Sequence, residues 1–266
     1  FGLPSLSELI LYDNTLSDVE IYELPNLSDI SIIDDYQLTN VVFSDLPNIS
    51  VLTIDDNFSL TNLNVSELFN LNHLIIQNND NFSSIINPSS ISNLDSLTII
   101  SNSSLSTLPE LSEFTNLSYL YLHDCPISYL PELSMLTNFR DLTISNISQS
   151  NLDIYGLDSL SRLSIKDMNS LISLNLEDLP NLEYLEIEGC SNLFDIEIFE
   201  FLNLNEIIIA RNDNVTNLNI SEVSNLTDLN ISYCYALTNL NLSTEVPNLA
   251  YLEIYSNDNL DVLPIM

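Results

Sequence analysis

The chain is poor in several residue types, and each scarcity limits what it can do. Its 266 residues include only 3 Gly, 3 Cys and 4 Lys plus Arg. So few Gly leave no glycine-rich loop to cradle a phosphate, and no nucleophile elbow or zinc-ligand spacing occurs. No apolar run approaches the roughly 18 residues of a membrane-spanning helix. These absences argue against an enzyme and predict no membrane insertion within this segment.

The charge is strongly one-sided. The chain carries 38 Asp plus Glu, which gives a formal net charge of −34 at pH 7. Nucleic acid is excluded as a partner because phosphate binding needs clustered cations, and an anionic membrane surface is disfavoured for the same reason. We expect a soluble protein whose stability increases with salt and with divalent cations.

A period of about 22 residues runs along the whole chain. The segment LPNISVLTIDDNFSLTNLNVSE from Leu46 and the segment LPNLEYLEIEGCSNLFDIEIFE from Leu179 share one skeleton. Counting the first residue as site 0, apolar residues recur at sites 0, 3, 6, 8, 14, 17 and 19, and Asn or Cys recurs at site 11. A strict short period of this kind predicts a solenoid.

Twelve repeats of 21 to 23 residues account for the chain without gaps. They begin at Leu3, Leu24, Leu46, Leu68, Ile91, Phe114, Leu136, Leu157, Leu179, Phe201, Val223 and Val246. Sites 3 to 8 alternate as a short strand does, and sites 14 to 19 form a second apolar row. We therefore predict one β-rich solenoid over residues 1–266, with a parallel concave sheet, short convex strands and little helix.

Site 11 should form a buried ladder along the solenoid. Its residues are Asn14, Asp35, Asn57, Asn79, Asn102, Cys125, Ile147, Met168, Cys190, Asn212, Cys234 and Asn257. An Asn side chain there satisfies backbone groups that would otherwise be buried without partners, and Cys can replace it as a small buried residue. We expect three reduced, buried thiols and local irregularity at Ile147 and Met168.

The recurring pattern LxxLxLxx(N/C)xxL resembles that of the leucine-rich repeat family. Its 22-residue units with LPNL and LTNL segments are most similar to bacterial internalin-like surface repeats, as in LPELSEFTNLSYLYLHDCPISYLPELSMLTNF. The chain departs from internalins in showing no cap or immunoglobulin-like segment and in its scarcity of Lys. The resemblance implies a binding role without identifying the partner.

The candidate binding residues lie on the outward sites of the predicted concave strands. All four cations and both His fall at such sites, which is far from a random placement. We expect recognition in repeats six to eight, where cations, a His and two Tyr converge. The candidates are Tyr119, Tyr121, His123, Arg140, Arg162 and Lys166.

Two readings of these residues stay open. Arg162 and Lys166 share their sites with acidic residues of neighbouring repeats, Asp141 and Glu188, so they could simply offset acidic crowding in the sheet. Exposed aromatic side chains on a concave face are typical anchors for protein or sugar ligands, although Tyr also suits strands in general.

Arg140 and Arg211 have no acidic neighbour at their own sites in adjacent repeats. This makes them better candidates for binding an external anion, such as a carboxylate or sulfate.

Acidic turns and glycosylation sequons are weaker signals. Stacked turns such as Asp55-Asp56-Asn57 could hold Ca²⁺, but the chain has no EF-hand spacing, and we expect no cofactor. Asn-x-Ser/Thr occurs at 13 positions, of which Asn57 and Asn102 should be buried and free of sugar. Asn also suits turns, so glycosylation and turn chemistry remain alternatives.

These patterns predict a non-enzymatic recognition or adhesion module, extracellular or at the cell surface, that binds a protein or glycan on its concave face. The alternative is a structural protein whose copies associate end to end or side by side into a filament or layer. We expect the chain to be a fragment whose caps lie outside it.

Overall fold

The computed structural model describes residues 3–242 and 246–263. The chain divides into two compact units, Phe1–Asn138 and Phe139–Met266, and each is described by itself. Both units are parallel-strand solenoids, as the repeat predicted. The prediction of a single domain over 1–266 stays a prediction.

The first unit contains ten strands and two short 3₁₀-helices, Pro88–Ile91 and Leu111–Glu113. The strands are β1 (Glu8–Tyr12), β2 (Asp18–Tyr22), β3 (Asp29–Ile33), β4 (Asn40–Ser44), β5 (Val51–Asp55), β6 (Asn62–Asn64), β7 (His73–Gln77), β8 (Ser84–Ile86), β9 (Ser96–Ile100) and β10 (Tyr119–Cys125). The first strand of each repeat forms one parallel sheet, in the order β1-β3-β5-β7-β9-β10. We call its outward side the front face, which is the predicted concave side. The second strands form the back, as the pairs β2-β4 and β6-β8.

The second unit repeats this plan. Its strands are β11 (Asp141–Ile147), β12 (Asn151–Tyr155), β13 (Arg162–Lys166), β14 (Ser173–Glu177), β15 (Tyr184–Glu188), β16 (Asp195–Phe199), β17 (Glu206–Ala210), β18 (Asn217–Ser221), β19 (Asp228–Ser232), β20 (Asn239–Leu242) and β21 (Tyr251–Tyr255). The front sheet runs β11-β13-β15-β17-β19-β21, and the back consists of β12-β14 and β16-β18-β20. No α-helix occurs in the described part of the chain, which agrees with the predicted scarcity of helix.

Alternating burial explains why these segments are strands. On β5 the side chains of Leu52 and Ile54 are fully buried, while their neighbours face outwards. Successive side chains of a strand point to opposite faces, so apolar residues at alternate sites build a core on one side. The predicted core residues are buried as expected, with at most 1% exposure: Leu52, Ile54, Leu120, Leu122, Leu185 and Ile187.

Each repeat turns at a residue in the left-handed backbone region, just after the front strand. In the first unit these residues include Asp13, Asp34, Asp56 and Asn78, with φ of 51° to 58° at this site. Asp and Asn tolerate this conformation better than other residues with a Cβ. The first unit thus makes with Asp and Asn most of the turns for which many proteins use Gly.

The site-11 ladder holds neighbouring repeats in register. Asn79 donates from Nδ2 to the carbonyl oxygens of Ile54 at 3.0 Å and Gln77 at 2.6 Å, and its Oδ1 accepts the N–H of Asn57 at 2.9 Å. Asn102 accepts the N–H of Asn79 in the same way at 3.2 Å. Each of these two buried amides therefore satisfies three backbone groups, as predicted.

The cysteines occupy the ladder as reduced, buried thiols, as expected. Sγ of Cys190 lies 3.6 Å from the carbonyl oxygen of Glu188 and 4.0 Å from that of Ile165. Burial raises the pKa of the Cys190 thiol to about 12 and that of Cys234 to about 11. Neither thiol is available as a thiolate near neutral pH.

Asp35 is the ladder residue with an unsatisfied side chain. It is fully buried, and neither carboxyl oxygen has a hydrogen-bond partner among the described residues. Its backbone N–H donates to Oδ1 of Asn57 at 3.1 Å, so the backbone follows the ladder while the side chain does not. An Asn at this site would offer two side-chain N–H donors in place of one carboxyl oxygen.

Candidate functional site

A polar cluster on the front face of the second unit is centred on Glu186 of β15. Oε2 of Glu186 accepts hydrogen bonds from Oγ of Ser164 at 2.8 Å and from the hydroxyl of Tyr184 at 2.9 Å. Nζ of Lys166 lies 2.9 Å from the same oxygen. These residues together with Arg162 are called the Glu186 cluster below. Its acceptor is buried, but its cations reach solvent.

The strand register assembles the Glu186 cluster. On β13 and β15, Leu163 and Ile187 point into the core, so the residues that alternate with them face the front. The parallel pairing sets Ser164 opposite Glu186 and Arg162 opposite Tyr184. Opposite residues in adjacent strands are about 5 Å apart, which is within hydrogen-bonding reach of polar side chains.

Arg162 is held in place by two contacts. Its guanidinium lies over the ring of Tyr184, 4.1 Å from the ring centroid, and its Nε is 3.7 Å from Oδ2 of Asp141. The expected Asp141 neighbour is therefore confirmed. The Arg162 side chain is still 55% exposed. The stacking leaves part of the cation available to a partner.

The pKa values in the Glu186 cluster follow from burial and hydrogen bonding. Burial acts to raise the pKa of Glu186, but the hydrogen bonds from Lys166, Ser164 and Tyr184 outweigh it and leave the pKa below its usual value. Burial and the bond to Glu186 raise the pKa of the Tyr184 hydroxyl. Near neutral pH the cluster thus holds a carboxylate at Glu186 and a neutral phenol at Tyr184.

Two expectations about the cations need correction. Lys166 stands opposite Glu188 in the register, as predicted, but its ammonium pairs with Glu186. The long Lys side chain reaches the diagonal carboxylate as readily as the one directly opposite. The diagonal carboxylate also accepts hydrogen bonds from other donors. Arg211 has no acidic neighbour at its own site, yet its Nη1 lies 3.4 Å from Oε1 of Glu188, so part of its guanidinium is already ion-paired.

Arg140 fits the predicted role, that of a cation without an acidic neighbour, better than Arg211 does. It is exposed, and the ion pairs found in the described residues involve the other three cations but not Arg140. Its backbone carbonyl accepts the N–H groups of Ser161 at 2.9 Å and Arg162 at 3.0 Å, which fixes the main chain beside β13.

The aromatic candidates of the first unit share β10. Tyr119 and Tyr121 are 45% and 37% exposed on the front face, as predicted. The rings of Tyr121 and His123 are 6.3 Å apart, and Nε2 of His123 lies 3.0 Å from Oδ2 of Asp124. Nδ1 of His123 is buried without a hydrogen-bond partner in the described structure. The strand thus presents two phenol rings beside a half-exposed imidazole.

The six predicted residues are divided between the units. Tyr119, Tyr121 and His123 lie together on β10 of the first unit, and Arg162 and Lys166 lie together on β13 of the second. Arg140 precedes β11 in the second unit.

Sequence reasoning missed Tyr184 and Glu186, which organise the cluster. It also missed an aromatic group after β19, in which the Tyr233 ring lies 4.9 Å from the Tyr255 ring and 6.3 Å from the Tyr235 ring. Tyr233 has a φ of 55°, which is unusual for a bulky residue. Tyr184 occupies an outward site of a front strand. A search of these sites for Tyr as well as for cations would have found it.

Neighbouring side chains already donate hydrogen bonds to the carboxylates of the acidic turns. Oδ1 and Oδ2 of Asp55 accept the side-chain amides of Asn78 at 2.9 Å and Gln77 at 2.7 Å. In the described ranges, no three His, Cys, Asp or Glu side chains are grouped as a metal site would require. These bonds fit the interpretation of the acidic residues as turn chemistry, and the expectation of no cofactor stays a prediction.

Many sequon amides are also engaged in the fold. Asn57 and Asn102 are fully buried, as expected. Nδ2 of Asn81 donates to the carbonyl oxygen of Phe58 at 2.8 Å, and Nδ2 of Asn214 donates to that of Ser191 at 2.6 Å. Such bonds between repeats explain the periodic excess of Asn without invoking sugar.

The comparisons with known proteins agree with this geometry. The family described as the At1g61320/AtMIF1 LRR domain matches residues 108–266. This match covers more than half of the chain, so the protein belongs to the leucine-rich repeat family. No curated protein matches its sequence.

Solved structures with the same fold share little sequence with the chain. The functional domain of InlJ from Listeria monocytogenes, which includes a cysteine ladder, is 16% identical with a TM-score of 0.39, and the match covers 94% of this chain and 67% of that one. The LRR protein LIC12759 from Leptospira interrogans is 16% identical with a TM-score of 0.41, over 96% and 91% of the two chains. The internalin inlF from Listeria monocytogenes is 15% identical with a TM-score of 0.33, over 91% and 88%. The predicted leucine-rich repeat family is confirmed by the family model, and these structures are only proteins to which the chain is similar.

No helix in the described residues is both long enough and apolar enough to cross a membrane.

Proposed function

We propose that the chain is a non-enzymatic recognition module that binds a protein partner through its front face, outside the cell or at its surface. The observation that supports this most directly is the Glu186 cluster. Arg162 is stacked on Tyr184 and paired with Asp141, yet more than half of its side chain is exposed. A side chain that is already ordered loses less conformational entropy on binding than a free one.

The aromatic residues of β10 support the same proposal. Tyr119 and Tyr121 present apolar ring area and hydroxyl groups from a rigid strand, and such residues are enriched among the energetic centres of protein interfaces. Their strand carries a half-exposed His, and Arg140 adds a cation that is not ion-paired in the described structure. In a surface dominated by carboxylates, these positions suit a partner that brings carboxylate and aromatic groups.

The test is a binding screen with matched variants. The purified chain is applied to an array of extracellular protein domains and to a glycan array, and each hit is measured again with two front-face variants, Tyr119→Ala and Arg162→Ala. The control is Tyr155→Ala on the back strand β12, because Tyr155 is 47% exposed and Tyr119 is 45% exposed. We expect front-face variants to weaken binding about tenfold, as hot-spot truncations do, and the control to leave it within about twofold.

Two outcomes would overturn this proposal. Binding that is lost in Tyr155→Ala but kept in both front-face variants would move recognition to the back. A chain that forms regular filaments in sedimentation experiments, with no hit on either array, would favour the structural alternative.

A further inference from the structure

The back of the second unit contains an open cleft that the front-face proposal does not use. The back strands form two separate sheets there, β12-β14 and β16-β18-β20. The cleft lies between β14 and β16 and has a volume of about 1170 Å³. Both strands belong to the same unit, so the opening is a local feature of two consecutive repeats.

The cleft leaves two strand edges without a partner. On either side the expected backbone bonds are present: the N–H of Ile172 donates to Ser150 at 2.7 Å, and the N–H of Thr216 donates to Phe194 at 2.8 Å. The corresponding bond from Phe194 to Ile172 is missing among the described residues. An unpaired strand edge offers a row of N–H and C=O groups that can pair with another extended chain.

The floor of the cleft is apolar and partly uncovered. Leu174 and Leu176 of β14 occupy inward sites, yet both are only half-buried. The equivalent Ile154 of β12 and Ile198 of β16 are 2% and 0% exposed. Two inward leucines that stay half-exposed are an apolar surface available to a ligand.

A second break in the back shows that separation of the sheets alone does not open a cleft. In the first unit, β4 and β6 also belong to different sheets. There the inward Phe43 and Leu63 are 5% and 1% exposed, so the core stays closed. The exposure of Leu174 and Leu176 is therefore specific to the β14–β16 break.

The rim of the cleft is acidic. Carboxylates of Glu177 on β14 and of Asp195 and Glu197 on β16 line it, together with the turn residues Asp178 and Glu200. None of the residues lining this cleft is Lys, Arg or His. The field of these groups favours a cationic occupant.

We propose that this cleft binds an extended, basic polypeptide segment as an added β-strand. Its backbone pairs with a free edge of β14 or β16, its apolar side chains cover Leu174 and Leu176, and its alternate Lys or Arg side chains face the carboxylates. A strand places successive side chains on opposite faces, so the matching sequence alternates apolar and basic residues. A second copy of this chain does not fit, because it has 4 Lys plus Arg against 38 Asp plus Glu.

The experiment uses a fluorescein-labelled hexapeptide of alternating Val and Lys, with fluorescence anisotropy at about 0.15 M salt, where long-range attraction is screened. A second peptide of the same sequence carries N-methyl groups on alternate residues, which removes backbone donors but keeps charge and side chains. We expect the N-methylated peptide to bind about tenfold more weakly, because its strand pairing is lost. Equal binding of both peptides would overturn the proposal, since charge alone would then explain the affinity.

Variants locate the site. The change Glu177→Gln with Glu197→Gln removes two rim charges, and the control Asp153→Asn with Glu222→Gln removes two exposed charges from the same unit outside the cleft. We expect the rim pair to weaken binding of the unmodified peptide about fivefold and the control pair less than twofold.

The peptide should also slow amide exchange in β14 and β16. Equal losses in the two pairs, or protection confined to other strands, would refute the cleft as the site. Front-face variants such as Arg162→Ala should leave this binding unchanged, so failure here does not bear on the front-face proposal.

Discussion

The two units hold their repeats together by different means at the same site. In the first unit, Asn57, Asn79 and Asn102 form an unbroken ladder in which each side-chain amide bonds to the backbone of the preceding repeat. In the second unit, the ladder sites of three consecutive repeats are Ile147, Met168 and Cys190, and all three side chains are buried. Those repeats of the first unit are thus joined through amide groups. In the second unit, Ile147 and Met168 contribute apolar packing and Cys190 a weakly bonding thiol, and the amide bonds resume at Asn212.

This difference shows what the ladder asparagines contribute. An amide both donates and accepts with good geometry, so its removal leaves backbone groups buried without partners. A thiol is a weak donor and acceptor, a Met thioether is only a weak acceptor, and Ile offers neither, so those repeats must satisfy their turns in other ways. Substitution of a ladder amide such as Asn79 should therefore cost more than substitution of the small thiol of Cys190.

The largest effect is expected for Asn79→Ala. It removes the donor to Ile54 and Gln77 and the acceptor for Asn57, so it should lower the free energy of unfolding by about 3 to 5 kcal/mol. The matched substitution Cys190→Ala should cost about 1 kcal/mol, chiefly lost packing. Urea unfolding followed by circular dichroism measures both. Equal losses would mean that the amide ladder is no stronger than its replacement.

The next effect has the opposite sign. Asp35→Asn completes the ladder where a buried carboxyl now has no partner, so it should raise the free energy of unfolding by about 1 to 3 kcal/mol. Asp18→Asn removes one exposed carboxylate from the same unit and controls for the change in net charge. If both variants gained the same stability, relief of repulsion rather than hydrogen bonding would be the cause.

A smaller effect concerns the front face of the second unit. The folded pKa of Glu186 lies below the ordinary value of 4.5, so its contribution is present above about pH 4.5 and is lost as pH falls through the folded pKa. The stability difference between the wild type and Glu186→Gln should therefore shrink by up to about 1 kcal/mol between pH 6 and pH 3. Chemical denaturation at a series of pH values measures it. A difference that stays constant over this range would show that the carboxylate charge does not stabilise the Glu186 cluster.

The smallest expected effect concerns thiol reactivity, since two of the cysteines should not react in the native protein. Burial and a raised pKa should keep Cys190 and Cys234 unreactive toward Ellman's reagent at pH 8, while denaturation should expose all 3 Cys of the chain. Rapid labelling of the native protein would mean that the second unit opens locally at these repeats.

The period predicted the strands and the core because a side chain at a given site meets the same environment in every repeat. Leu185 and Ile187 could be assigned to the core from spacing alone. The partners of long side chains could not, since Lys166 bonds diagonally to Glu186 and Arg211 reaches back to Glu188 from a turn. Such choices depend on rotamers and on which carboxylate already has other donors.

The cleft was also beyond prediction. Leu174 and Leu176 occupy the same apolar sites as residues that are buried elsewhere, so the sequence pattern gives no sign that they are uncovered. The opening depends on how far β14 and β16 are separated, which is a property of the assembled backbone rather than of any residue type.

The left-handed turns have a consequence for protein engineering. Of the 17 residues other than Gly with positive φ in the described structure, ten are Asp or Glu. At these positions Gly or Asn suits the backbone at least as well as the carboxylate residue does. Nine of these ten lie outside the strands, all but Asp124 of β10, so a set of substitutions such as Glu23→Gly, Glu200→Gly and Asp45→Asn would remove up to nine negative charges without altering a strand or the core. The result would be a far less acidic scaffold with the same repeats, whereas Lys at the same turns would neutralise the charge and strain the backbone.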